Sequence, residues 1–370
     1  MTEQQKKICD KWKSHLANHV VKHDLDNLVM PYIKAVVEKN LPVIIGLNHL
    51  ASMMQLNADT LKRMIVSSHS FYHSFTIPKR KGGTRQIDAP YPSMIKAQQW
   101  IYHEILSKIT ISPSATGFIP HHSIKDNASA HLFQRCLLLL DVKDFFPSIK
   151  WHKVYAVFRH LGYPKNIAQY LASLCCLNGH APQGAVTSPA LSNVISRRLD
   201  ARIAGIAKKY QINYTRYADD MTFSGERISK RFQSFVNKIV EDDGFKINQD
   251  KTRFIKGKHQ KIVTGISISE DKLTVPKSKR REIRQHVYYI NKYGLSEHQK
   301  KIGNNDPIYL ERLIGYLHFW HSIEPDNQFV NKSLESLSFA REKIQNVDIG
   351  IAPEVSDLVF EEYQLSFEKI

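Results

Sequence analysis

The sequence predicts an α+β fold with an acidic hairpin in its sheet. Three observations carry this. Residues 212–223 alternate, with Ile212, Tyr214 and Arg216 before Asp219-Asp220 and Met221 and Phe223 after. That period of two describes two strands with the acids at the turn between them. Leu137–Leu140 is an unbroken apolar run ending on Asp141, as in a buried strand that delivers one carboxylate at its end. Helical patterns lie between these strands without a regular βαβ repeat, which favours α+β over a doubly wound sheet.

The elements follow in order. Residues 1–45 read as helical, with breaks expected at Met30-Pro31 and Leu41-Pro42. Residues 46–75 carry helical spacing in Leu47, Leu50, Met54, Leu61 and Ile65. Residues 77–87 read as a hairpin turning at Gly82-Gly83, with a basic tip. Residues 93–109 form an amphipathic helix, and 137–149 the buried strand with the turn after it. Residues 151–177 are helical. Ser188 as N-cap and Pro189 as first residue are expected to open one long helix. Its apolar face is Leu191, Val194, Ile195, Leu199, Ile203 and Ile206. The acidic hairpin is followed by a helix at 228–242, strands at 244–255 and 261–269, a helix at 276–293 and two helices within 306–345.

Charge narrows the function classes. Lys plus Arg number 52 against 35 acids, a formal charge of +17 over 370 residues. Such an excess calls for a polyanionic partner, nucleic acid first. No run approaches the ~20 apolar residues a spanning helix needs, and the first ten residues lack a signal-peptide core. A cytoplasmic protein without a membrane partner is therefore expected. The four cysteines show no Cys-x-x-Cys spacing, which argues against structural zinc and a disulfide framework. In 276–293, Lys277, Lys279, Arg280, Arg281, Arg284 and Lys292 face Glu282 alone, with Tyr288, Tyr289 and Tyr293 interleaved. That composition suits a helix tracking nucleic acid. From residue 346 the sign reverses, while Val355, Leu358, Val359 and Phe360 keep an apolar set. The tail is expected to dock, on the body or on a partner.

Two adjacent acids at a hairpin tip repel each other and stabilise no fold. They make sense where divalent cations bind, and Asp141 would complete a set for two-metal phosphoryl transfer. A solvated Asp-Asp turn is the plain alternative.

Four strings fall in the order and spacing of reverse transcriptases. They are Asp141-Val-Lys-Asp144-Phe-Phe146, Pro182-Gln-Gly-Ala-Val-Thr-Ser-Pro189, Tyr217-Ala-Asp-Asp220, and Gly244-Phe-Lys-Ile-Asn248 with Lys251-Thr252. Two more, Asn127-Ala-Ser-Ala-His131 and Val263-Thr-Gly265, resemble motifs of the bacterial retron reverse transcriptases. The resemblance covers roughly residues 46–345.

It implies a right-hand polymerase whose ferredoxin-like palm carries the Asp-Asp hairpin. The parts would be a helical N-terminal extension (1–45), fingers (46–136), palm (137–268), RNA-binding thumb (269–345) and acidic tail (346–370). It implies an RNA-directed DNA polymerase that binds a cognate structured non-coding RNA and copies part of it from dNTPs. Synthesis would start at a guanosine 2′-hydroxyl and leave a branched RNA–DNA product, msDNA. An accessory effector protein and a role in anti-phage defence are implied as well. The rivals are abortive-infection, diversity-generating or group II intron reverse transcriptases, a nucleotidyl cyclase, and a non-catalytic RNA-binding scaffold.

The resemblance also implies roles. Asp141 and Asp219 would be the principal ligands of two Mg²⁺ ions, or of Mn²⁺, with Asp220 the third. Asp144 would be structural. Phe146 would lie against the sugar and exclude a 2′-hydroxyl. Gln183 would contact the nucleotide and Gly184 let the backbone approach it. Arg85 would clamp the triphosphate, assisted by Lys79 or Lys81, because a guanidinium grips phosphate bidentately. Lys251 would protonate the leaving pyrophosphate. The RNA surface would draw on Asn127, His131, Val263, Thr264, Gly265, Lys277, Arg280, Arg281 and Arg284.

Overall fold

The computed structural model describes residues 1–345 apart from residues 19, 80, 81, 258 and 270. The expectations for the acidic tail and for Lys81 lie outside the described residues.

The acidic hairpin belongs to a four-stranded antiparallel sheet of order β4-β5-β3-β6. Its strands are β3 (Cys136–Asp141), β4 (Asn213–Tyr217), β5 (Asp220–Gly225) and β6 (Arg253–Lys256). The register sets Cys136 opposite Gly225 and, five residues on, Asp141 opposite Asp220. Side chains alternate faces along a strand. Leu138 and Leu140 enter the main core, with Phe223, Phe232 and Val236. Leu137 enters a second core with Ile283, Leu317 and Trp320. Strand β3 is thus covered on both faces, and this is why its leucines run without a polar interruption.

The second core belongs to the C-terminal part. There β7 (Lys261–Val263), β8 (Ile266–Ile268) and β9 (Leu273–Thr274) form a small sheet. Helices Lys277–Tyr293, Leu295–Ile302, Tyr309–Ile323 and Gln328–Gln345 follow. Upstream, β1 (Tyr72–Pro78) and β2 (Thr84–Pro90) make a two-stranded hairpin.

Several expectations are corrected. No break occurs at Met30-Pro31. The chain stays helical from Lys22 to Glu38, through a π-helical stretch at Leu25–Val29. Proline has no N–H and its ring crowds the carbonyl four residues back, and the wider π turn just ahead accommodates both defects. The break expected at Leu41-Pro42 is present, since the helix ends at Glu38. The basic hairpin starts earlier than its glycine signal suggests, taking 72–75 from the expected helical region. Ser188 is not an N-cap. Its hydroxyl donates to the Pro182 carbonyl at 2.7 Å, and Thr187 holds the cap position. The long helix comes in two pieces, Ser188–Ile195 and Arg197–Lys209. Residues 244–255 are not one strand. A lone bridge joins Ile247 to Val142, then a 3₁₀ turn at Gln249–Lys251 precedes β6. Strand 261–269 is instead a hairpin turning at Thr264-Gly265, both at positive φ (44° and 83°), as a two-residue type I′ loop requires.

Candidate active site

Strand β3 ends on Asp141, which is 6% exposed. The Lys251 ammonium lies 2.7 Å from Asp141 Oδ2. The lysine is brought there by the 3₁₀ turn, which the Asn248 N–H anchors on the Asp141 carbonyl at 2.7 Å. The other oxygen, Asp141 Oδ1, is buried without a hydrogen-bond partner among the described residues. A buried anionic oxygen lacking a donor is costly, and a cation is the group that would satisfy it.

Asp219 and Asp220 arrive from the β4–β5 turn. The Val142 N–H donates to the Asp219 carbonyl at 2.9 Å, tying the turn to the residue after Asp141. Burial and then Asp141 raise the Asp219 carboxyl, against Lys251 and Arg85, which lower it. Burial, then Asp219 and Asp141, push Asp220 up to about 7. Asp220 is nevertheless exposed to solvent. Water relieves part of the dehydration there, and the repulsion between carboxylates persists. Burial acts to lower Lys251, but its bond to Asp141 and the acids around it outweigh that and raise it.

These groups fit a divalent cation by their chemistry: crowded carboxylates, one buried orphan oxygen and a lysine acting as counter-ion. As they stand, no three His, Cys, Asp or Glu side chains among the described residues are gathered closely enough to hold a metal ion.

Phe146 is half-buried. Its ring centroid is 6.2 Å from Phe118, which is 6.2 Å from Tyr217. Phe145 is a core residue, buried 5.7 Å from Phe245. Asp144 starts the short helix Phe145–Ser148 in a left-handed conformation, its carbonyl accepting from Ser148 N and Oγ at 2.9 and 2.8 Å.

The Pro-Gln-Gly loop presses against β2. The Asp88 N–H donates to the Gln183 carbonyl at 2.8 Å. Gly184 sits at φ 126°, and a Cβ there would come 2.7 Å from the Asp88 carbonyl oxygen. Only glycine permits that approach. Sequence reasoning missed what holds the loop. Asp88 is buried and accepts from Ser74 Oγ at 2.7 Å and Gln86 Nε2 at 2.9 Å. Gln98, also buried, donates to Tyr72 Oη and the Leu174 carbonyl and accepts from Val186 N–H. Neither residue lies in a motif, so only long-range contacts could reveal them. Arg85, on β2, is near enough for its charge to act on Asp219. Lys79 is exposed at the hairpin turn.

Three expected RNA contacts are corrected. Asn127, His131 and Val263 are buried, at 0%, 1% and 0% exposure. Asn127 Oδ1 accepts from Thr116 Oγ1 at 3.1 Å and Thr215 Oγ1 at 2.5 Å, and its Nδ2 donates to Thr264 Oγ1 at 3.3 Å. His131 bonds Thr215 Oγ1 through Nε2 and Ser224 Oγ through Nδ1, both at 2.7 Å. Burial lowers its pKa to about 4. With Thr215 donating to Asn127, the network assigns a neutral ring protonated at Nε2. The two short motifs are therefore one internal tie, from the sheet to the Thr264-Gly265 turn.

Gly265, Lys277, Arg281 and Arg284 are exposed and Arg280 is half-buried. Arg284 lies over the rings of Phe329 and Trp320, at 5.0 and 5.6 Å. No helix among the described residues is long and apolar enough to cross a membrane.

Residues 77–284 match the family described as reverse transcriptase (RNA-dependent DNA polymerase). The chain is similar to the retron Ec86 reverse transcriptase of Escherichia coli, 35% identical over 254 residues, covering 68% of this chain and 79% of that protein. It is 39% identical to the retron Mx65 reverse transcriptase of Myxococcus xanthus over 218 residues, covering 54% of this chain and about half (51%) of that protein. With the retron Mx162 reverse transcriptase of the same species it shares 31% identity over 297 residues, covering 70% of this chain and 59% of that protein.

Proposed function

The chain belongs to the bacterial retron reverse transcriptases, which are RNA-directed DNA polymerases, and from that premise we propose that it copies part of a bound, structured non-coding RNA into DNA at the Asp141, Asp219 and Asp220 carboxylates. Synthesis starts from a guanosine 2′-hydroxyl of that RNA and leaves a branched RNA–DNA product. An accessory effector completes an anti-phage system in the cytoplasm.

One observation supports this most. The register that pairs Asp141 with Asp220 gathers the acids at one end of the sheet, next to an orphaned carboxylate oxygen. The family works with divalent metal ions, and we assign two Mg²⁺ to these carboxylates. Bound there, such ions would supply Lewis acidity at the attacking hydroxyl and neutralise charge on the leaving pyrophosphate. Lys251 holds Asp141 before loading and, in this reading, gives a proton to the leaving pyrophosphate. Arg85 and Lys79 meet the triphosphate from the fingers hairpin, and Gln183-Gly184 borders the sugar.

Phe146 is the gate against a 2′-hydroxyl. The purified protein, given an RNA template, Mg²⁺ and dNTPs, should make DNA. Phe146→Val should raise the ratio of kcat/KM for rNTP over dNTP by about 10- to 100-fold. An unchanged ratio would return Phe146 to a packing role.

The 277–293 helix supplies the RNA grip of the thumb. Arg284 also packs on Phe329 and Trp320, so Arg280 and Arg281 isolate the electrostatic part. Replacing both by Gln should weaken RNA binding and flatten the slope of log K against log salt by about 1 to 2, since a phosphate that no arginine neutralises keeps its counterions on binding. The same slope in both proteins would place these arginines away from the RNA.

A further inference from the structure

The most buried charges in the palm lie beneath the acidic hairpin. Arg216 and Asp200 form an ion pair in which both side chains are 0% exposed. Arg216 Nε donates to Asp200 Oδ1 at 2.8 Å and Nη2 to Oδ2 at 2.7 Å. Tyr214 Oη donates to the same Asp200 at 2.8 Å. The remaining nitrogen, Arg216 Nη1, donates to Asn193 Oδ1 and to the Ala218 carbonyl, both at 3.2 Å.

A buried ion pair is a poor stabiliser, because well-packed apolar residues of similar volume usually do as well or better. Its value here lies in what the bond to the Ala218 carbonyl holds. Ala218 and Asp219 form the two-residue loop between β4 and β5. Ala218 has φ 55°, while Asp219 is not among the positive-φ residues. A residue with a Cβ is disfavoured at such an angle, so the turn needs an external restraint. The other side of the turn is closed by Gly117, where a Cβ would meet Ala218 N and the Tyr217 ring at 3.0 Å. The Gly117 carbonyl in turn accepts from Asn193 Nδ2 at 2.8 Å.

We propose that Arg216, fixed by Asp200, is the positioning residue of the active-site hairpin: it clamps the Ala218 carbonyl, keeps the left-handed turn, and so sets where Asp219 and Asp220 present their carboxylates. The inference rests on the polymerase reading of those acids. It goes further in giving a buried, non-contacting charge pair control over their placement.

The test compares Arg216→Lys, Arg216→Met/Asp200→Leu and each combined with Ala218→Gly. Lysine keeps the charge but cannot make the forked contact with Asp200 and still reach Ala218. The Met/Leu pair replaces the buried charges by apolar groups and is expected to keep the fold. In both, kcat for DNA synthesis should fall by about 10- to 100-fold, with KM for dNTP within about threefold. Mn²⁺ affinity, read from the free-ion resonance without substrate, should weaken by about fivefold or more. Ala218→Gly lets the turn form without a clamp, and should restore about fivefold or more of the lost kcat and part of the lost Mn²⁺ affinity.

If folded Arg216 variants bind Mn²⁺ like the wild type, or if Ala218→Gly restores nothing, the clamp is overturned. Should Arg216→Lys fail to fold, the Met/Leu pair carries the same comparison, and unfolding of both would show the pair to be structural and overturn the proposal. Wild-type DNA synthesis tests the polymerase reading itself; the ratios of variant to wild type test the clamp.

Discussion

Replacing Asp219 and Asp220 together by Ala is expected to abolish DNA synthesis while RNA binding survives. The fall should be about a thousandfold or more, at least ~4 kcal/mol of lost transition-state stabilisation. The two side chains sit at the sheet end opposite Asp141 and take no part in the apolar cores. Burial raises both carboxyls, and neighbouring carboxylates raise them further, Asp141 acting on Asp219, and Asp219 with Asp141 on Asp220, so the folded state gains nothing from them when no cation is bound. Groups whose folded pKa lies above the unfolded one destabilise the fold as pH rises through that window, here from about 4 to about 7 for Asp220. The double variant should therefore melt no lower than the metal-free wild type at pH 7. Synthesis near the wild-type rate in a folded double variant would remove these acids from the chemistry.

Gly184→Ala carries the second large effect. Its Cβ would sit 2.7 Å from the Asp88 carbonyl oxygen, at a backbone φ of 126°. The obstacle is backbone in a hydrogen-bonded strand, not a side chain that can swing away. Either the loop or the hairpin must withdraw, breaking the Asp88 N–H to Gln183 carbonyl bond. Strain of this kind costs about 2–4 kcal/mol. Because the loop borders the proposed nucleotide site, KM for dNTP should rise about tenfold or more, with RNA affinity unchanged. Wild-type melting and wild-type KM together would show that the backbone yields freely there.

The sequence is legible where the signal is local. Alternation around Asp219-Asp220 and the leucine run ending at Asp141 identify β3, β4 and β5 and the end of the sheet that carries the acids. What remains hidden depends on distant partners. The string from Asn127 to His131 marks a place in the chain, but not that both side chains point inward to Thr215 and Thr264. Ser188 has the right type for an N-cap, yet a carbonyl six residues earlier takes its hydroxyl. Arg216 occupies an inward position of an alternating strand, where a charge is unexpected, and its partner Asp200 is sixteen residues away on a helix. Residues 244–255 carry β-type composition, but the Asn248 N–H bond to Asp141 turns the chain so that Lys251 reaches the site.

The measurement closest to the central claim is the nucleic acid that co-purifies with the protein from cells carrying its RNA. The account predicts a species that is part RNase-sensitive and part DNase-sensitive, joined at a branch that resists RNase. It should be absent from the Asp219→Ala/Asp220→Ala protein, which should carry the RNA alone. DNA joined to RNA in the double variant, or RNA without any DNA on the wild type supplied with dNTPs and Mg²⁺, would contradict it.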